Sequence, residues 1–275
     1  MVLAELVEEE FFFIGSGAAG GNEAEGVASA WVTAVAKFTG SRLSCVGSSS
    51  TPCWLGPRGV LFLWIMKTLL IVGATGLVGR AVLRLALADV SIGRVIAPTR
   101  RALEMRHEKL VNPVVDFETL PGSAEWWRVD AVICTLGTTI KKAGSQAAFR
   151  KVDHDHPLAV ARLARAAGAQ AYGLTSSMGA NAKSPAFYLR TKGETERDLA
   201  AVGFPSVTVV RPSLIGGERA ERRWGEALAL KLFAALGPVL PRRYRIVPAE
   251  RIAARLLASV ISAQPGVCIV ESEEI

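Results

Sequence analysis

From Met66 onward the chain alternates short, continuously apolar runs with longer stretches whose apolar residues recur at helical spacing. Thr68–Val72 is the first such run, and after a glycine Leu77–Ala88 carries a helical period. Further strand-like runs follow at Arg94–Pro98, Val114–Phe117, Ala131–Leu136, Ala171–Thr175, Ser206–Val210 and Val267–Val270. Helical periods lie over Ala147–Gly168, Tyr188–Val202, Trp224–Leu236 and Pro248–Ser262. A strand without polar alternation is buried on both faces, as strands of a parallel sheet are. Strand and helix in repeated alternation therefore predict an α/β domain with helices on both faces of the sheet. Right-handed crossovers make that sheet doubly wound, with its ligand crevice at the carboxyl ends of the strands.

Residues 1–65 read differently. They hold Phe11-Phe12-Phe13, a glycine-rich stretch and the run Ser48-Ser49-Ser50-Thr51, and no period persists. The expectation is a poorly structured N-terminal extension over 1–65, then a single domain over 66–275. Met66 is a candidate true start, because a complete first strand begins directly after it. The acidic opening (Glu5, Glu8, Glu9, Glu10) argues against a secretory or transit peptide. Residues 60–72 are apolar except for Lys67 and Thr68, but the run falls short of the ~20 residues of a membrane span. No span is expected.

Half of the 275 residues are hydrophobic, ample for one sizeable core. The formal net charge is +7, and beyond residue 65 there are 29 basic against 19 acidic groups. Such an excess attracts nucleic acid, a membrane surface, a phosphorylated cofactor or an acidic substrate. The basic residues are scattered and no aromatics interleave them, so a nucleic-acid partner is not expected. Four cysteines (Cys45, Cys53, Cys134, Cys268) show no metal-ligand spacing, and no metal is expected. Cys134 and Cys268 sit in apolar runs and read as small buried hydrophobes. This usage suits a reducing compartment, and a cytoplasmic protein is the expectation.

The first strand ends in Gly73-Ala74-Thr75-Gly76-Leu77-Val78-Gly79, which opens an amphipathic helix. Gly73 permits a tight turn, Gly76 lets backbone approach a pyrophosphate, and Gly79 lets helix and strand pack closely. Thr75, Leu77 and Val78 complete the turn, whose free N–H groups and partial positive charge suit phosphate. This is a Rossmann-type dinucleotide site. At the end of the second strand, NAD enzymes place an acidic residue on the ribose 2′-hydroxyl. Here Thr99-Arg100-Arg101 stands instead, and an arginine fork suits a 2′-phosphate. NADPH is the expected cofactor, ahead of NADH.

With these glycines and Tyr188-Leu189-Arg190-Thr191-Lys192, the chain resembles the short-chain dehydrogenase/reductase superfamily. Among its atypical members it is most similar to the Tat-interacting-protein-like oxidoreductases. The likeness is carried by Leu136-Gly137-Thr138-Thr139, Lys142-Ala143-Gly144, Val152-Asp153, Ser176-Ser177, Tyr188 with Lys192-Gly193-Glu194, and Arg211-Pro212. It runs from about Lys67 to the C-terminus. The resemblance implies that Tyr188 is the acid or base, that Lys192 also holds the nicotinamide ribose, and that Ser177 or Ser176 polarises a carbonyl. Leu136, Gly137 and Thr138 would pack on the cofactor, Asp116 and Phe117 would contact adenine, and Arg211, Pro212, Leu214 and Ile215 would line the nicotinamide. Arg223 would reach cofactor or an acidic substrate, or stand as a solvated charge. Leu136-Gly137-Thr138-Thr139 departs from the Asn-Asn-Ala-Gly motif of the better-known enzymes, which leaves the asparagine of their tetrad without an evident counterpart.

The tyrosine–lysine pair also makes sense from the residues alone. Tyr188 and Lys192 are four apart and share a helix face. A phenol with an ordinary pKa of about 10 needs roughly 4 kcal/mol of help to work near neutrality. An ammonium at about 4 Å supplies on the order of 4 kcal/mol at an effective dielectric of about 20. The leading expectation is an NADPH-dependent oxidoreductase acting on a small carbonyl substrate, in either direction. An NADPH-binding sensor or interaction protein without turnover competes with it, as does an epimerase or dehydratase; self-association as a homodimer is left open. Residues 218–248 should cap the substrate pocket. His154-Asp155-His156-Pro157 reads as solvated turn residues.

Overall fold

The computed structural model describes residues 66–216 and 241–275, with backbone pairing alone for 53–55 and 61–63. These belong to one compact unit, Thr51–Ile275. β1 (Cys53–Leu55) and β2 (Leu61–Leu63) pair antiparallel within the segment expected to lack structure. The rest of 1–65, the helix expected over Trp224–Leu236, and Arg223 lie outside the described residues.

The apolar runs become strands of one seven-stranded parallel sheet. Its members are β3 (Lys67–Val72), β4 (Ile92–Ile96), β5 (Leu110–Val111), β6 (Ala131–Cys134), β7 (Ala171–Thr175), β8 (Ser206–Arg211) and β11 (Gly266–Glu271). A separate two-stranded pair joins β9 (Ile215–Gly216) to β10 (Val247–Pro248). The large sheet runs β11-β8-β7-β6-β3-β4-β5. The chain thus winds outward from β3 through β4 and β5, then returns to β6 and winds the other way. The Rossmann switch point, where a dinucleotide lies, falls between β3 and β6.

Alternate residues of the central strands feed two cores. Leu69, Ile71, Val95 and Ile133 face α1 (Leu77–Ala88) and the last helix, where Val82, Ala86, Ile252 and Leu256 are buried. Leu70, Val72, Val132 and Tyr172 face Leu158, Val160 and Ala161 of α4 (His156–Ala166), with Trp127 and Phe204. Two short helices, α2 (Ile140–Ala143) and α3 (Gln146–Arg150), precede α4; α5 (Phe187–Ala200) and α6 (Ala249–Ser262) follow. Thr139 and Ser145 cap α2 and α3 by accepting from Lys142 N and Ala148 N.

Three expectations change. The strand expected at Val114–Phe117 forms earlier, at Leu110–Val111, and Val114 keeps only an isolated bridge to Thr99. Pro113 between them has no N–H to give to a ladder. The helix expected over Ala147–Gly168 is broken by a π-helical turn, Lys151–Asp155, which a periodicity of apolar residues cannot reveal. Cys134 is buried as expected, but Cys268 is exposed because β11 is an edge strand, with Val267 57% exposed beside it.

Candidate functional site

The glycine turn is held from below. Gly73 has φ +88°, a conformation open to glycine, and a Cβ there would lie 2.7 Å from Thr135 Oγ1. A Cβ on Gly79 would lie 2.1 Å from Gly73 O, so both glycines are fixed by packing. Thr135 itself donates from its hydroxyl to Val72 O at 3.0 Å and Gly73 O at 3.2 Å, pinning the turn to β6. Gly76 differs: its surroundings are open apart from Gly73 O at 3.2 Å, and with Thr75 it is exposed. Gly76 caps α1 with no side-chain hydrogen bond, and the first turn holds no acidic residue. The early N–H groups of α1, near Leu77 and Val78, are therefore open to an anion. These residues fit a dinucleotide pyrophosphate.

Beyond β4, Thr99 is buried and its hydroxyl donates to Arg101 O at 2.6 Å. Asn112 ties the same segment by donating to Thr99 Oγ1 and Ala97 O. The backbone under Arg100 and Arg101 is thus fixed while both side chains stay exposed, and among the described residues no carboxylate pairs with them. Asp116 is exposed and accepts from Glu118 N at 3.0 Å; Phe117 is half-buried and stacks by His156, ring centroids 5.8 Å apart.

Tyr188 and Lys192 share a face of α5, with the Tyr188 ring against Phe149 at 5.6 Å. The Lys192 side chain is 8% exposed, and its Nζ lies 2.7 Å from Oδ1 of a fully buried Asp153. The angle there is poor for a hydrogen bond, which leaves Oδ1 without a donor of good geometry. The other oxygen, Oδ2, accepts from Thr138 N at 2.8 Å. Thr195 fixes the same turn by donating from its hydroxyl to Asp153 O at 2.9 Å. Burial works to drive the proton off Lys192, but the Asp153 carboxylate, with a smaller contribution from Tyr188, outweighs it and moves the ammonium's pKa above the usual 10.5. Gly137 leaves room here: a Cβ on it would lie 3.5 Å from Asp153 Oδ1.

The two serines part company at the end of β7. Ser176 is buried and donates to Glu196 of α5. Glu196 is bound bidentately by Arg211, at 3.1 Å from Nε and 2.6 Å from Nη2, and Arg211 Nη1 reaches Glu271 at 2.8 Å. The hydrogen bond to Glu196, against the cost of burial, lifts the Arg211 guanidinium further above its ordinary value. Ser176 and Arg211 therefore belong to a network that joins β7, α5, β8 and β11. Ser177 is half-buried, and among the described residues its hydroxyl has no hydrogen-bond partner. The loop that carries it returns to α5 through Asn181 N, which donates to Leu189 O at 3.0 Å.

A protein named HTATIP2 from Rattus norvegicus is 35% identical over 204 residues, spanning 73% of this chain and 84% of its own length. The chain belongs to the atypical short-chain dehydrogenase/reductase family of HTATIP2 and FMP52. Another HTATIP2/FMP52 relative, fmp52 from Emericella nidulans, is 36% identical over 181 residues, 63% of this chain and 78% of its own. No family model matches the sequence. Among solved structures, MoeE5 in complex with UDP-glucose and NAD is alike in fold, with TM-score 0.57, 16% identity, and 74% of each chain covered. A UDP-N-acetylglucosamine 4-epimerase from Methanobrevibacter ruminantium gives TM-score 0.56 at 16% identity, over 75% of this chain and 76% of its own. At 16% identity these likenesses show that the chain shares their Rossmann-type fold.

This membership corrects the expected compartment. Fungal FMP52 proteins carry the word mitochondrial in their names, so the purely cytoplasmic placement drawn from cysteine usage does not stand. No helix among the described residues is long and apolar enough to cross a membrane.

The remaining expected residues scatter. Pro212 is buried and accepts at its carbonyl from Met178 N at 3.0 Å; Leu214 is exposed; Ile215 pairs with Val247. His154 is not a solvated turn residue. It is buried, with Nδ1 2.7 Å from Asp155 and Nε2 3.0 Å from Asp198. The π-helical turn points it inward, and His156 packs on Phe117. Three residues of the site were not singled out for a role by sequence: Thr135 under the glycine turn, Glu196 beneath Ser176, and Asp153 beside Lys192. Only Asp153 left a signal, in the Val152-Asp153 pair that helps carry the family likeness.

Proposed function

We propose that the chain is an NADPH-dependent oxidoreductase that reduces a small carbonyl compound. The observation that carries this reading is Tyr188 and Lys192 on one face of α5, with the lysine buried and charged. NADPH, when bound, supplies the hydride. Gly76 and the N-terminus of α1 hold the diphosphate, and Arg100 with Arg101 binds the 2′-phosphate. Ser177 holds the carbonyl oxygen while Tyr188 donates its proton there. The carbonyl π bond breaks, one C–H and one O–H bond form, and the tyrosine regains a proton from solvent. Ser176 takes no part, its hydroxyl being committed to Glu196.

The test incubates the protein with NADPH and a panel of aldehydes, ketones and quinones, beside Tyr188→Phe. The expected result is turnover by the wild type and a loss on the order of 10²-fold or more in the variant, with NADPH binding kept. Cofactor binding by the wild type without turnover of any compound would overturn the enzymatic reading in favour of a sensor.

A further inference from the structure

Lys192 is almost fully buried, and a lone ammonium in such a place would be costly. Its charge is balanced by Asp153, which no expectation had placed against it. Asp153 arrives by an unusual route. It lies in the π-helical turn Lys151–Asp155, whose extra residue per turn breaks the α3–α4 register and lets Asp153 and His154 both be buried. Three separate contacts then hold it: Lys192 at Oδ1, Thr138 N–H at Oδ2, and the Thr195 hydroxyl at its own carbonyl. Thr138 is in the loop that follows β6, so one carboxylate links the crevice loop and the lysine of α5. The groups that act on the Lys192 ammonium are Asp153 from that turn, Tyr188 from its own helix, and Cys134 from β6.

We propose that Asp153 is a positioning residue for Lys192 and makes the buried pair electroneutral, so that the pocket tolerates the positively charged ring of the oxidised dinucleotide as well as the neutral ring of the reduced one. The proposal rests on the reading of the crevice as a nicotinamide cofactor site. A lysine with no carboxylate would repel the oxidised ring and leave the reduced one unaffected. Asp153 fixes the ammonium in place and removes that discrimination.

The test is calorimetric titration of wild type and Asp153→Asn with NADP+ and, separately, NADPH, at mildly acidic pH where a lysine without its partner keeps its proton. Asparagine keeps the size and can still accept from Thr138 N–H. The ratio of Kd for NADP+ to Kd for NADPH is expected to rise about tenfold or more, the order of one unbalanced unit charge in a partly buried site. The double variant Asp153→Asn/Lys192→Met is neutral again, and its ratio should return to within about threefold of the wild type. If Asp153→Asn alone does not fold, Lys192→Met leaves the carboxylate unbalanced instead, and its ratio should fall about tenfold or more; an unchanged ratio would overturn the proposal. Equal weakening of both dinucleotides, with the ratio unchanged, would make Asp153 a structural residue and overturn the proposal alone. A wild type that binds neither dinucleotide would overturn the cofactor reading itself.

Discussion

A Cβ on Gly193 would lie 2.2 Å from the backbone nitrogen of Ala182. The loop between β7 and α5 thus lies directly on the helix that carries Tyr188 and Lys192, and only a residue without a side chain allows it. In an isolated helix Gly193→Ala would gain about 1 kcal/mol from helix propensity. Here the clash is with backbone, and overpacking of that kind costs typically 1–3 kcal/mol. Gly193→Ala is expected to lower the urea midpoint and to displace Ser177, cutting turnover more than NADPH binding. A variant more stable than the wild type would show that the loop yields.

Gly76 and Gly79 of the turn should separate by function. Gly79→Ala, with its new methyl 2.1 Å from Gly73 O, should destabilise the fold by about 2 kcal/mol or more. Gly76→Ala meets Gly73 O at 3.2 Å, a tight contact that asks only a small shift, and should destabilise much less than Gly79→Ala. Its methyl stands where a pyrophosphate approaches, so NADPH should bind about tenfold more weakly or worse. Melting curves and titrations on the two variants check both halves.

Arg100→Ala/Arg101→Ala removes two exposed guanidinium groups and no packing. On the proposed NADPH reading, the variant should melt as the wild type does and its affinity for NADPH relative to NADH should fall by about tenfold or more. An unchanged preference would place the 2′-phosphate elsewhere.

Asp198 carries a pH-dependent contribution. The hydrogen bond from Arg197, helped by that with His154 and opposed by a little burial, holds its carboxyl down to about 2, against an ordinary 3.8. A carboxyl depressed in the folded state stabilises the protein above its unfolded value, and that contribution fades as pH falls through the folded one. Asp198→Asn should therefore be less stable than the wild type at neutral pH, by an amount constant down to about pH 4 and shrinking between about pH 4 and pH 2. Urea midpoints across that range measure it; a difference that does not change with pH would mean the carboxylate's charge is not what matters.

The wild-type sequence already announces the elements that rest on short-range pattern. Leu77–Ala88 and Ala171–Thr175 were expected with the bounds the structure gives them. Their apolar spacing alone decides whether one stripe or both faces can be buried. Gly73, Gly76 and Gly79 were legible for the same reason, being a local turn. The third strand was misplaced because its position depends on which residues of the next segment meet β4, and Pro113 decides that.

Periodicity and turn chemistry, acting over a few residues, determined the doubly wound sheet, the glycine turn and the shared face of Tyr188 and Lys192. The fold decided the rest: that Asp153 pairs with Lys192, that Ser176 goes to Glu196 while Ser177 has no partner among the described residues, that His154 is buried between two aspartates, and that Gly193 admits a crossing loop. Apart from the His154 contact with its neighbour Asp155, these are contacts between different segments of the chain. Which side chains meet there is set by sheet order and helix packing, and no local pattern carries that information.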